Sequence, residues 1–156
     1  MKAGHRDGRE GARRNVTEET ETPAVELTEI RDAVTVRLPA ASAYLSVLRT
    51  ATAGLAARLD FTLDQIEDLR IAVDEACAML LRHAVPGTDL LAEFELTGQE
   101  MTVRVEVNTV GVSSPNREDF AWMVLTALAD DVDALSDHSD HMAIVLRKRR
   151  GTARPA

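Results

Sequence analysis

Cysteine is all but missing from this chain: Cys77 is alone among 156 residues, which excludes an intramolecular disulfide. It stands inside an apolar helical pattern, so a packed and inert thiol is expected over a catalytic one. No apolar run comes near the roughly 18 residues of a membrane span. The first residues are mixed in charge and contain glycine, without the apolar stretch that a secretory signal requires. A soluble, cytoplasmic protein with no membrane partner is therefore expected. Bases are scarce through the middle, where residues 23–146 hold 21 acids against 8 bases, a formal charge of −13. Such a surface repels a phosphate backbone, which argues against direct nucleic-acid binding by the folded core. It suits a basic protein partner, or serves solubility alone.

The ends are composed differently. Residues 147–156 carry five Lys or Arg and no acid, while residues 1–22 hold five of each sign. The run Arg147 to Arg150 is either an electrostatic hook or the solvated end of a last strand. Residues 1–32 are rich in Gly, Arg, Glu and Thr with little periodicity, the pattern of a disordered tail. One domain over 33–149 and a short tail over 150–156 complete the division. No internal repeat is present.

Val34, Val36 and Leu38 alternate with Thr35 and Arg37, predicting a half-buried strand closed by Pro39. From Ala41 to Arg58, Tyr44, Val47, Leu48, Ala51 and Leu55 recur at three and four, predicting one buried helical stripe with Ser46, Arg49 and Thr50 opposite. The next helix has a capping box in Thr62 and Gln65 and a hydrophobic staple in Phe61 and Ile66. Its stripe of Ile66, Leu69, Val73, Ala76, Cys77, Leu80 and Ala84 runs to Val85-Pro86-Gly87. Glu75 and Met79, one turn apart, are placed to face the same cavity edge. The period then becomes two, over Ala92 to Leu96 and Met101 to Val107, with a turn at Thr97-Gly98-Gln99-Glu100. A loop follows over 112–119, with Ser113-Ser114-Pro115-Asn116, then a helix over Phe120 to Ala129 with Phe120, Val124, Ala127 and Leu128 inward. Short strands near Val132 to Leu135 and Met142 to Lys148, joined around Ser139, finish the domain. This order predicts an α+β, two-layer α/β sandwich, with a mostly antiparallel sheet and helices on one face.

The segment Leu59-Asp60-Phe61-Thr62-Leu63-Asp64, continuing through Val73-Asp74-Glu75-Ala76-Cys77, His83-Ala84 and Leu128-Ala129-Asp130-Asp131-Val132, resembles the anti-sigma serine kinases of the RsbW and SpoIIAB type. These belong to the histidine-kinase-like (GHKL) ATPase superfamily, and the resemblance spans about Val34 to Lys148. It implies the histidine-kinase-like ATPase fold and a pocket for ATP and magnesium built from four motifs. In the first, a helical Glu is the general base and an Asn four residues on ligates the metal. Glu75 matches the base, but Met79 holds the Asn position, and a thioether is too soft a ligand for magnesium. The second, Asp-x-Gly, is meant to receive adenine. Here it reads Thr109-Val110-Gly111, leaving Gly111 as a vestige.

The third motif, a glycine turn at a helix N-terminus, is replaced by Asp119-Phe120-Ala121-Trp122, an acid and two aromatics where phosphate would lie. The fourth, Gly-Thr, aligns with His141-Met142. Each lost charged hydrogen bond is worth roughly 1.5–3 kcal/mol, so losing the carboxylate and metal ligand weakens ATP by roughly a hundredfold to ten-thousandfold. The resemblance thus implies an anti-sigma factor that sequesters an alternative sigma factor and is released by an anti-anti-sigma (STAS) partner, without ATP or magnesium as a working cofactor. The alternative is an active serine kinase, with Glu75 as base and a rebuilt metal site, that phosphorylates the anti-anti-sigma protein.

Glu75 also reads as a plain helix-surface carboxylate paired with Arg82 or Arg70. His138 and His141, with Asp137 and Asp140, offer metal-ligand types but lack the framing of a zinc site, so a polar hairpin tip and no metal are expected. His83 reads as a structural histidine. By resemblance, Arg49 lies on the helix that grips the sigma factor, with Leu45, Ala53 and Ala56 on its flank as a low-relief apolar patch and its guanidinium free to pair with a carboxylate. The family also implies a homodimer through the first strand and the sheet edge.

Overall fold

A computed structural model describes residues 31–111, 114–136 and 140–151. Of the disordered tail expected over 1–32, residues 1–30 lie outside the described residues, as do Val112, Ser113, Asp137, His138 and Ser139, whereas Arg31 and Asp32 belong to the first strand. The elements run β1 (Arg31–Pro39), a 3-10 turn (Ser42–Tyr44), α1 (Leu45–Arg58), α2 (Leu63–Leu81), β2 (Asp89–Thr97), β3 (Glu100–Asn108), α3 (Phe120–Leu128), β4 (Asp131–Ser136) and β5 (His141–Arg149). The five strands form one antiparallel sheet in the order β1-β2-β3-β5-β4. The fold is α+β, as expected, with three helices over the apolar face of the sheet.

Period-two patterning builds that face. Leu90, Ala92, Phe94 and Leu96 of β2 pair across to Val107, Val105, Val103 and Met101 of β3, and all eight are buried. The turn between them is Gly98-Gln99, and only Gly98, at φ 54°, has a positive φ, the hand that matches the twist of a two-residue hairpin. α2 lies centrally against α1, α3, β3 and β5. It buries Leu69, Ala72, Val73, Ala76, Cys77, Met79 and Leu80, and each large apolar side chain contributes about 1.5–3 kcal/mol when removed from water.

The start of α2 follows the sequence signal. Gln65 N–H donates to Thr62 Oγ1 at 3.2 Å and Thr62 N–H to Gln65 Oε1 at 3.1 Å, closing the capping box. Its end comes earlier than expected, at Leu81, and Ala84 instead bridges to Thr109. α1 ends in a Schellman motif: Phe61 N–H donates to Ala56 O at 3.4 Å and Asp60 N–H to Ala57 O at 3.1 Å. Asp60, at φ 55°, fills the left-handed position that glycine usually takes.

The phases of α1 and α3 correct the sequence reading. In α1 the buried residues are Leu48, Thr52 and Ala56, whereas Tyr44 and Val47 are exposed. Thr52 is tolerated there because its hydroxyl donates to Leu48 O at 2.7 Å. In α3 the buried residues are Ala121, Trp122 and Leu125, while Phe120 is 75% exposed and Ala127 is also exposed. Among the described residues no helix is long and apolar enough to cross a membrane.

Candidate functional site

Two regions on either side of α2 hold the residues singled out from the sequence. The first is where α1 meets α2. Arg49 Nε lies 3.0 Å from Asp74 Oδ1, joining the two helices. That nitrogen is buried and makes no hydrogen bond among the described residues, so its N–H is not directed at the carboxylate and the attraction is Coulombic. The guanidinium is therefore engaged within the chain rather than free, while its side chain stays 42% exposed. Ala53 is half-buried beside it in sequence phase, and Leu45 packs partly onto the core. Ala56 is fully buried and does not belong to a surface flank.

The second region is the far end of α2. Met79, Arg82 and His83 line a cleft of about 240 Å³ with Pro115, Asn116 and Asp119. Met79 is 5% exposed, its thioether packed into the core. Glu75, half-buried one turn earlier, is not among the residues lining this cleft, so the two do not share its edge. Nor is Glu75 matched to the arginines expected to pair with it. Arg70 pairs with Glu67, and Arg82 reaches Asp119 at 3.7 Å. Asp119 sits at the N-cap of α3 yet makes no side-chain cap hydrogen bond.

Thr109, bridged to Ala84 beyond the end of α2, is buried, its N–H donating to Asp140 O at 2.7 Å and its hydroxyl to Gly111 O at 3.0 Å. Gly111, at φ 72°, takes a backbone conformation suited to glycine. Trp122 is buried under the guanidinium of Arg117, 5.0 Å from the ring centre. His141 Nδ1 lies 3.7 Å from Glu106. Among the described residues no group of three ligand-type side chains is placed to hold a metal ion.

Cys77 is buried in the middle of α2, and that burial, with the charge of Asp74 adding to it, pushes its thiol up to about 12. It is an unreactive thiol at neutral pH. The basic run at the end of β5 is used internally. Lys148 donates to Leu128 O at 2.8 Å and lies 3.6 Å from Asp68, and Arg149 reaches Glu100 at 2.8 Å and Asp131 at 3.6 Å. Arg150 lies 3.8 Å from Asp60. Neither these ties nor the Arg49–Asp74 pair carried a sequence signal, because the partners lie far apart in the chain.

Residues 38–148 match the family described as Histidine kinase-like ATPase domain. The chain is 36% identical over 107 residues to the Anti-sigma-F factor RsbW of Mycobacterium tuberculosis, covering 67% of this chain and 62% of that protein. It is 37% identical over 82 residues to the Serine-protein kinase RsbW of Listeria monocytogenes, covering 51% of this chain and 52% of that protein. The chain thus spans less than two thirds of the length of these relatives. A crystal structure of the RsbU and RsbW domains of a Mycobacterium tuberculosis protein superposes with a TM-score of 0.60 at 16% identity, over 80% of this chain and 34% of that one, a likeness of fold. With the match covering most of the domain, and the sheet order and central helix built as described, the chain belongs to the histidine kinase-like ATPase family.

Proposed function

We propose that this chain is an anti-sigma factor that sequesters an alternative sigma factor in the cytoplasm, is released by an anti-anti-sigma (STAS) protein, and has a degenerate nucleotide pocket. The observation that carries this reading is an RsbW-like domain in which the metal-anchor position is an apolar thioether packed into the core. The residues at the expected nucleotide positions do not fit ATP–magnesium. Met79 offers no oxygen to the metal, and Thr109 offers no carboxylate to adenine and already donates its hydroxyl to Gly111. Asp119 places a negative charge where phosphate would approach. The cleft is also smaller than the ~300 Å³ at which ligand pockets begin.

In this reading Arg49, Leu45 and Ala53 form the sigma-binding surface, and the domain works as a homodimer joined through β1, which is an edge strand among the described residues. Co-expression with alternative sigma factors is the test. A soluble complex that survives purification supports the reading, and its absence across the panel overturns it. Arg49→Ala should weaken that complex by about thirtyfold, the scale of an arginine hot spot. A monomer by light scattering at tens of micromolar would remove the dimer.

The second reading is an active serine kinase acting on the anti-anti-sigma protein. It is favoured by Glu75 on α2 and by the likeness to the serine-protein kinase of Listeria. Calorimetry with ATP–magnesium separates the two, since saturable binding at low micromolar nucleotide belongs only to the kinase.

A further inference from the structure

We propose that Asp74 is a positioning residue for Arg49, fixing the guanidinium at the α1–α2 seam so that its outer edge meets a carboxylate of the bound partner. This rests on the reading of Arg49 as a partner contact. The pair ties a partly exposed arginine of α1 by charge to a carboxylate of α2, at 3.0 Å. Both members are about one-third or more exposed, at 42% and 35%, so the pair adds little to the fold. A role in folding does not account for it.

Its geometry suits preorganisation instead. The closest approach to Asp74 is made by Nε, at 3.0 Å, and that nitrogen is buried without a hydrogen bond among the described residues. The side chain is therefore held by charge at its base, with the donors beyond Nε left over for a forked bond to an incoming carboxylate. An arginine left loose loses rotamer freedom when a partner immobilises it, and one already held loses less. Asp74 itself sits on the long central helix, a rigid platform whose underside is core. It thus aims the arginine without touching the partner.

The test has two arms, both on the full chain. In the free protein, nitrogen-15 NMR of arginine Nε–H groups should show Arg49 as a resolved signal that moves to the averaged position of exposed arginines in Asp74→Ala. An Arg49 signal unchanged in that variant overturns the proposal. The second arm measures affinity for the sigma factor that co-purifies with the wild-type chain, in a double-mutant cycle. Asp74→Ala and Asp74→Asn should each weaken binding by about fivefold in the wild-type background and change nothing in Arg49→Ala, a coupling typical of residues in contact. Equal losses in both backgrounds, or tighter binding by Asp74→Ala, overturn the positioning role while leaving Arg49 as a contact. No loss in Arg49→Ala removes the contact itself, and the proposal with it. Melting temperature is recorded for every variant, and an affinity loss that merely tracks it counts against the proposal.

Discussion

The N-terminal end of α2 is fastened from several directions, whereas its C-terminal end faces a small cleft. At the start, Gln65 closes the capping box and also donates from Nε2 to Arg149 O at 3.2 Å, so one side chain ties helix, turn and last strand. Lys148 adds a tie to Asp68 one turn further on. At the other end, Met79 turns inward, and Arg82 and Asp119 face one another at 3.7 Å across the cleft. The apolar underside runs beneath both ends alike, from Leu69 to Leu80. The difference lies in side-chain ties: among the described residues those at the start of the helix reach the last strand, whereas Arg82 at its far end reaches Asp119 across the cleft.

The comparison can be broken first at the underside. Leu69→Ala and Leu80→Ala remove equally buried side chains from opposite ends, and each should lower unfolding free energy by about 2–5 kcal/mol in urea titrations. A much smaller loss for Leu80→Ala would mean that the cleft end collapses readily around the void and that its packing is loose.

The middle of the helix sharpens the same contrast through pH. Cys77 is protonated in the fold up to about 12 but loses its proton from an ordinary 9.0 when the chain unfolds. Its contribution is complete below pH 9 and is lost as pH rises from 9 towards 12, because the unfolded state then binds fewer protons. The ceiling of that loss is about 4 kcal/mol, at roughly 1.4 kcal/mol per unit. Denaturant midpoints measured from pH 8 to 11 should fall in the wild type and flatten in Cys77→Ala. Parallel curves would place Cys77 in a wetter setting than the rest of the underside.

The smallest effects test the ties themselves. Gln65→Ala should cost about 1–2 kcal/mol, the scale of a helix cap, while Arg82→Ala at the other end should stay within about 0.5 kcal/mol. Thermal unfolding of the two variants decides the matter, and equal losses would erase the contrast between the ends.

Much of this was legible in the sequence, and the exceptions have physical causes. Strands announced themselves by alternation, and α2 by Thr62, Gln65 and a long stripe. α1 was misphased because its buried face includes Thr52 and Ala56, a satisfied hydroxyl and a methyl that carry little hydrophobic signal. α3 was misphased because all but Thr126 of Phe120 to Leu128 are apolar, so every face looks like an inner one. At the site, the place of Met79 on α2 could be read from the helical stripe, but the Arg49–Asp74 pair could not be read. Helix packing, not spacing, brings those two together. The basic run ending β5 was ambiguous for the same reason, since its acidic partners come from the α1–α2 turn, α2, β3 and β4.

The strand order carries a consequence for the chain as it is made. β5 follows every other strand in sequence yet lies between β3 and β4, bonded to both. Until it leaves the ribosome, β3 has an open edge and β4 has no neighbour, so the nascent sheet holds only β1, β2 and β3. The Gln65 tie to Arg149 likewise waits for a residue 84 positions downstream. A ribosome stalled before residue 141 would therefore display a helix pair over a half-built sheet with an apolar face uncovered, the kind of surface that chaperones bind. Completion of the domain is set by the emergence of one interior strand, so the exposure of this sheet during synthesis lasts until β5 is free to pair.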